Sequence, residues 1–251
     1  MLWAVVHFTI PEPGLFYWIN RHTQIISDSV WGFFVFLGNG WGVYSLAFPL
    51  MLFAPRILAT GVISGLIAGI LSRLLKHWIE YPRPAGVLDP SSFHIVGHPL
   101  EYLSLPSGHT LTAFSVATAF YFAANSKYRK VLWPLFLVAL TAGVARIAVG
   151  AHWPADVFAG ASVGIFSALI GVSVCHRLPA SLFKSHSWIN TVFVAGALVT
   201  AYILGTMQMD FELNRRYQLL GILVIVVTLL GLAAQVLFTL RAKYGRSKKT
   251  T

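Results

Sequence analysis

The sequence predicts an all-α protein, a polytopic membrane helical bundle with about six transmembrane helices. Three observations carry that expectation. Hydrophobic residues make up 57% of the 251 positions and charged residues 10%, against about 25% charged in a soluble domain. The mean hydropathy is +0.72. The apolar residues also fall in runs near the ~20 positions that a spanning helix needs.

Residues 1–28 mix aromatics with Pro and polar side chains. Pro11 and Pro13 end the first apolar stretch early, and no basic region precedes it. This reads as an amino-terminal interfacial segment rather than a cleavable signal peptide or a full crossing. The transmembrane domain follows over 29–240, with apolar runs at 30–53, 57–79, 107–124, 131–150, 155–176, 188–207 and 217–240. Gly38-Asn39-Gly40 interrupts the first run. It predicts a short helix followed by a short span, leaving six full crossings. Residues 241–251 read as a basic cytoplasmic tail, either a topology anchor or a contact for anionic headgroups. The longest loop, 80–106, is rich in Pro, Ser, Gly and His. A loop of that length reads as a lid or a binding loop.

The net charge of +10 does not read as nucleic-acid binding, because the basic residues sit in short connectors beside apolar runs. If the 124–130 connector is cytoplasmic, Lys127, Arg129 and Lys130 share their side with Arg56, Arg177, Lys184 and the tail's Arg241, Lys243, Arg246, Lys248 and Lys249. Outside the polar clusters the opposite side has Arg21, Arg215 and Arg216. The positive-inside rule then puts the clusters described next at the outer face. The single cysteine, Cys175, excludes an intramolecular disulfide and reads as a small core residue.

Three polar clusters interrupt the apolar pattern: Lys76-x6-Arg83-Pro84, Pro106-Ser107-Gly108-His109 and Arg146-x5-His152-x3-Asp156. An ionisable group near hydrocarbon is costly and usually marks function. In the third cluster, Pro154 suits the first position of a helix, which puts Asp156 in the first turn. A carboxylate beside an imidazole can accept Nδ1–H and leave Nε2 as a nucleophile. Arg146 could fork onto phosphate oxygens. The bland alternative is a capping Asp, an interfacial His and a snorkelling Arg. In the second cluster, a helix N-terminus offers N–H groups to an anion, Gly108 permits close approach and His109 could donate a proton. The alternative is an ordinary helix start. In the first cluster, Pro82 and Pro84 should hold Arg83 in place, and with Lys76 it could neutralise a phosphate. The alternative is interfacial charge. The alternatives do not explain why all three clusters share one membrane face.

The ordered pattern, ten identities across residues 76–156, resembles the type 2 phosphatidic acid phosphatase superfamily of lipid phosphate phosphatases. The resemblance implies a membrane phosphatase with an outward-facing active site. It implies that Lys76, Arg83, Ser107, Gly108 and Arg146 bind phosphate, that His152 is the nucleophile oriented by Asp156, and that His109 is the general acid. It implies no metal and no other cofactor. Ala145 departs from the family, which usually has Ser there, and the change bears on substrate fine-tuning. The expected substrate is a lipid phosphate in the bilayer, undecaprenyl diphosphate above others, hydrolysed through a phosphohistidine at the outer face of a bacterial cytoplasmic membrane. Phosphatidylglycerophosphate, phosphatidic acid, lipid A phosphate and transfer to a lipid acceptor stay open. So does a non-enzymatic lipid-phosphate binder or transporter, which the two imidazoles and the carboxylate speak against. No nucleic-acid or obligate protein partner is inferred. Arg73 lies three residues before Lys76; it reads as a second-phosphate contact or as an ion pair with a neighbouring span. His94 and His98 read as solvent-exposed loop residues, with substrate contacts the alternative, and His77 and Trp78 as interfacial.

Overall fold

The structure, a computed structural model, describes residues 12–184 and 187–247. Residues 1–11 of the amino-terminal segment and Lys248 and Lys249 of the tail lie outside the described residues. Helices α1 (Glu12–His22), α2 (Asp28–Gly38), α3 (Gly40–Ala47), α4 (Pro55–Ile79), α5 (Gly108–Ala123), α6 (Pro134–Ala148), α7 (Pro154–Arg177), α8 (Trp188–Thr206) and α9 (Arg215–Ser247) follow in chain order. No strand occurs among the described residues. Five helices are long and apolar enough to cross a membrane, or six if the bent pair α2 and α3 counts as one. Their outer faces carry exposed Leu66, Ile70 and Leu74 on α4 and Leu219, Leu223 and Leu230 on α9. On spanning helices this is the lipid-facing surface, and the protein is a multi-pass membrane protein.

The Gly38-Asn39-Gly40 interruption is a bend of 76°. Asn39 is extended and its side-chain oxygen accepts from Trp41 N at 3.0 Å, so it caps α3. Pro55, Pro134 and Pro154 open α4, α6 and α7, positions where a missing N–H costs nothing. α4 ends where Glu80 turns left-handed at φ 48°. The last helix continues into the stretch read as a tail, because Arg241, Ala242 and Lys243 are good helix formers.

α5 sits at the centre, packed against α4, α6 and α7. Its 16 residues reach about 24 Å, short of the ~30 Å hydrocarbon thickness. Small residues set how closely α7 approaches it. A Cβ on Gly160 would stand 2.6 Å from Ser107 O, and one on Gly164 would collide with Leu111 O. This glycine spacing of four is a known route to close helix contact in membranes. It brings the start of α7 against the start of α5. The C-terminal ends of α4 and α6 lie at the same end of the bundle, so all three polar clusters meet there.

Candidate active site

The connection Val149–Trp153 between α6 and α7 carries His152, which is 1% exposed. Nδ1 of His152 lies 3.1 Å from Asp156 Oδ2, and Nη1 of Arg83 lies 3.3 Å from Nε2. A guanidinium can only donate, so Nε2 is the acceptor and the imidazole proton sits on Nδ1, facing the carboxylate. Asp156 also accepts from Trp153 N at 2.9 Å, so one side chain both caps α7 and orients the histidine. Burial first, then the charges of Arg83, Arg146, Lys76 and His109, hold the His152 imidazole well below its ordinary value. The neutral form is therefore the resting one.

Arg83 is held as its flanking prolines predict. Its N–H donates to Glu101 O at 2.8 Å, Nε to Tyr102 O at 2.8 Å and Nη1 to Ala151 O at 3.1 Å. Lys76 Nζ donates to Leu103 O. The loop segment 101–104 thus lies between two cations. Arg146 is 4% exposed, yet its Nε and Nη1 have no hydrogen-bond partner among the described residues. A buried guanidinium in that state is poised for an anion. Ser107 stands at the N-cap of α5 but does not cap it, since its hydroxyl accepts from Thr110 Oγ1 at 2.9 Å. The first N–H groups of α5 are left without a side-chain cap, and a Cβ on Gly108 would meet only Ser72 Oγ at 3.8 Å. This end of the helix is open to an anion.

Two expectations change. His94 is not a solvated loop residue: it is half-buried, its Nε2 lies 2.8 Å from Asp28 Oδ1 and its N–H donates to Asn20 Oδ1 at 2.9 Å. Asn20 also donates to Ile147 O and Ala148 O, which clamps the loop onto the end of α6. His98 is exposed, but it lines a cavity of about 260 Å³ together with Arg146, Gly150 and Asp210. Arg73 is exposed and enters no ion pair among the described residues, which removes the ion-pair alternative. His77 and Trp78 are exposed on α4. Ala145 is fully buried in a cluster with Val35 and Val149.

Residues 57–179 match the PAP2 superfamily, and all three clusters fall inside that stretch. The chain carries a PAP2 superfamily domain. It is similar to a lipid A 1-phosphatase of Rhizobium johnstonii, 34% identical over 47% of this chain and 47% of the relative. It is similar to an undecaprenyl-diphosphatase of Sulfolobus acidocaldarius, 31% identical over 47% of this chain and 55% of the relative. The chain thus spans about half the length of these curated relatives. Among solved structures it resembles Aquifex aeolicus LpxE with a TM-score of 0.57 and 29% identity, over 67% of this chain and 98% of that one.

Two residues of the site escaped sequence reasoning. Within the PAP2 domain, Ser104 is fully buried and donates to Asp156 Oδ2 at 2.5 Å. It is one of three serines in the 80–106 loop, and nothing in its spacing separates it from Ser91 and Ser92. Beyond the PAP2 domain, Asp210 of the α8–α9 connection stands 3.0 Å from His109 Nε2. The two meet at ion-pair distance. Burial pushes the Asp210 carboxyl up, but the His109 and Arg146 charges and the Asn39 amide outweigh it and hold it below the ordinary carboxylate range.

Proposed function

We propose that this protein is a metal-independent integral-membrane lipid phosphatase working through a phosphohistidine. The observation that carries the proposal is the neutral, carboxylate-backed His152, whose Nε2 faces a cluster of fixed cations. Nε2 attacks phosphorus in line, and the N–P bond forms as the P–O bond to the lipid breaks. Arg83, Arg146, Lys76 and the N–H groups at the start of α5 hold the equatorial oxygens, where phosphoryl transfer draws most of its stabilisation. His109 gives its proton to the departing oxygen. It then takes a proton from water as that water attacks phosphorus, and inorganic phosphate leaves with Nε2 free again.

The substrate we favour is undecaprenyl diphosphate, with the site on the outer face of a bacterial cytoplasmic membrane, in recycling of the peptidoglycan lipid carrier. Support comes from the undecaprenyl-diphosphatase relative and from the cavity beside Arg146, where His98 offers a further polar contact. Exposed Arg73 on α4 is a second candidate for the distal phosphate. Lipid A 1-phosphate is the competing substrate, favoured by the likeness to lipid A 1-phosphatase and to LpxE. Purified protein incubated with a panel of lipid phosphates, with free phosphate and phosphorylated acceptor both followed, tests the reading. Phosphate release that depends on His152 is expected. Equal release by His152→Ala, or none by the wild type from any lipid, would overturn it.

A further inference from the structure

His109 is the one reacting group whose orientation is set from outside the PAP2 domain. Two chain-distant segments meet at His109, the α2–α3 bend and the α8–α9 connection. α2 reaches it at Gly38, where an added Cβ would stand 3.0 Å from His109 Cβ and 3.1 Å from His109 O. The α8–α9 connection brings Asp210 Oδ1 to 3.0 Å from Nε2. Asn39, the residue at the α2–α3 bend, donates from Nδ2 to the other carboxylate oxygen of Asp210 at 3.0 Å. The interruption of the first apolar run is therefore a built feature. Gly38 admits the close approach of the His109 backbone and Cβ, and Asn39 spends one end of its amide capping α3 and the other on Asp210.

Asp210 is held against its own backbone preference. It has φ 52°, in the left-handed region that Asp tolerates better than most residues but still enters at a cost. Its neighbours pin it there. Met209 is 7% exposed and packs with Phe36 and Leu204, while Phe211 is 8% exposed and packs with Val96 and Ala148. A strained backbone with buried anchors on both sides marks a position whose side chain is being aimed.

We infer that Asp210, held by Asn39, is the positioning residue of the general acid. It takes the Nε2 side of His109 and leaves Nδ1 to serve the leaving oxygen. This rests on the phosphatase reading above. The arrangement mirrors the nucleophile, where Asp156 takes Nδ1 and leaves Nε2 to phosphorus. Asp210 itself exchanges no proton. Its negative charge favours the imidazolium form of His109 against burial first, and against Arg146 and Arg83, the two cations that also act on the ring. The proton that Nδ1 gives up goes to the lipid oxygen as the P–O bond breaks.

The test compares full-length wild type and Asp210→Asn on two substrates: the lipid phosphate that the wild type hydrolyses fastest, and p-nitrophenyl phosphate, whose leaving group departs without a proton. General acid catalysis contributes about 10²–10⁴-fold. With the lipid, Asp210→Asn is expected to lower kcat by at least about 30-fold while KM changes less than about threefold. Its kcat/KM on the aryl ester, which reports the steps up to the phosphohistidine, should fall by less than about threefold. The alkaline limb of kcat should move to lower pH, because the imidazolium has lost its anion, and Asp210→Glu should restore part of it. Asn39→Ser keeps a hydroxyl to cap α3 and removes the amide that holds Asp210. It should shift both readouts the same way by a smaller factor, and it serves where Asp210→Asn fails to fold. Equal losses on both substrates, or no loss on the lipid, overturn the inference while the wild type stays active. A wild type inactive on both substrates overturns the phosphatase reading beneath it.

Discussion

Arg83 Nη1 and His152 Nε2 lie 3.3 Å apart. A cation that only donates thus meets the lone pair that would attack phosphorus. The contact fixes the histidine tautomer from one side while Asp156 fixes it from the other. An incoming phosphate offers the guanidinium charged oxygens, which are stronger acceptors than an imidazole nitrogen. Substrate binding would thereby draw Arg83 off Nε2 and release the nucleophile in one step.

A pH dependence follows from the same contact. Burial, then Arg83, Arg146, Lys76 and His109, hold His152 below its ordinary value. The attacking form is the free base, so a lowered value extends activity toward acid rather than toward alkali. The acid limb of kcat/KM, which reports the free enzyme, is expected below the usual imidazole value of about 6.5. Arg83→Gln removes one of the opposing charges. It should move that limb upward and lower the rate by about 10²–10³-fold. A wild-type limb at or above the ordinary imidazole value would refute the assignment of His152 as a buried neutral base.

Asp156 has two jobs that two substitutions separate. Asp156→Asn keeps an oxygen for the Trp153 amide but cannot hold the imidazolium that forms on His152. We expect kcat to fall by about 10³–10⁴-fold, the scale seen when such a carboxylate is neutralised, with the unfolding midpoint little changed. Asp156→Ala should lose the same activity and also about 1 kcal/mol of stability with the helix cap. Thermal unfolding in detergent, set beside phosphate release, checks both. Equal midpoints for the two variants would show that the cap contributes nothing.

Much of this was legible in the chain because membrane helices and short motifs write themselves locally. The apolar runs became helices, the first of them broken in two by the 76° bend, and the prolines at 55, 134 and 154 open helices. The cluster 146–156 is a single helix end, connection and helix start, so its His–Asp pairing could be read from spacing alone. What stayed hidden depends on chain-distant contact. Ser104 reaches Asp156 only because the long loop folds back beside Tyr81, whose carbonyl accepts from Ser104 N at 2.8 Å. Asp210 and His109 are a hundred residues apart and meet across the bend at Asn39. The burial of His94 is hidden for the same reason, since its partner Asp28 lies 66 positions away.

Close packing of α7 on α5 is what brings the two histidines to one site. A Cβ at Gly160 would stand 2.6 Å from Ser107 O, a backbone atom that cannot swing aside. Gly160→Ala should therefore push the helices apart at the phosphate-binding end. The expected cost is about 1–3 kcal/mol, the usual range for overpacking, together with a loss of activity larger than the loss of folded protein. Activity that falls only in step with the folded fraction would mean that the site tolerates the shift.

Arg146 is buried with two nitrogens unpartnered among the described residues, and Asp210 acts on it by charge without bonding to it. A buried ion without a bonded partner costs several kcal/mol, and replacing buried ionic groups with apolar side chains often stabilises by about 1–4 kcal/mol. Arg146→Met should then raise the unfolding midpoint of the ligand-free protein, while Asp210 keeps His109 and Asn39. The same substitution should abolish phosphate release. It should also abolish the rise in midpoint that orthovanadate, a phosphate mimic, is expected to give the wild type. Lower stability of Arg146→Met without ligand would mean that the guanidinium is held by the fold for its own sake. An orthovanadate shift retained by the variant would place the anion elsewhere.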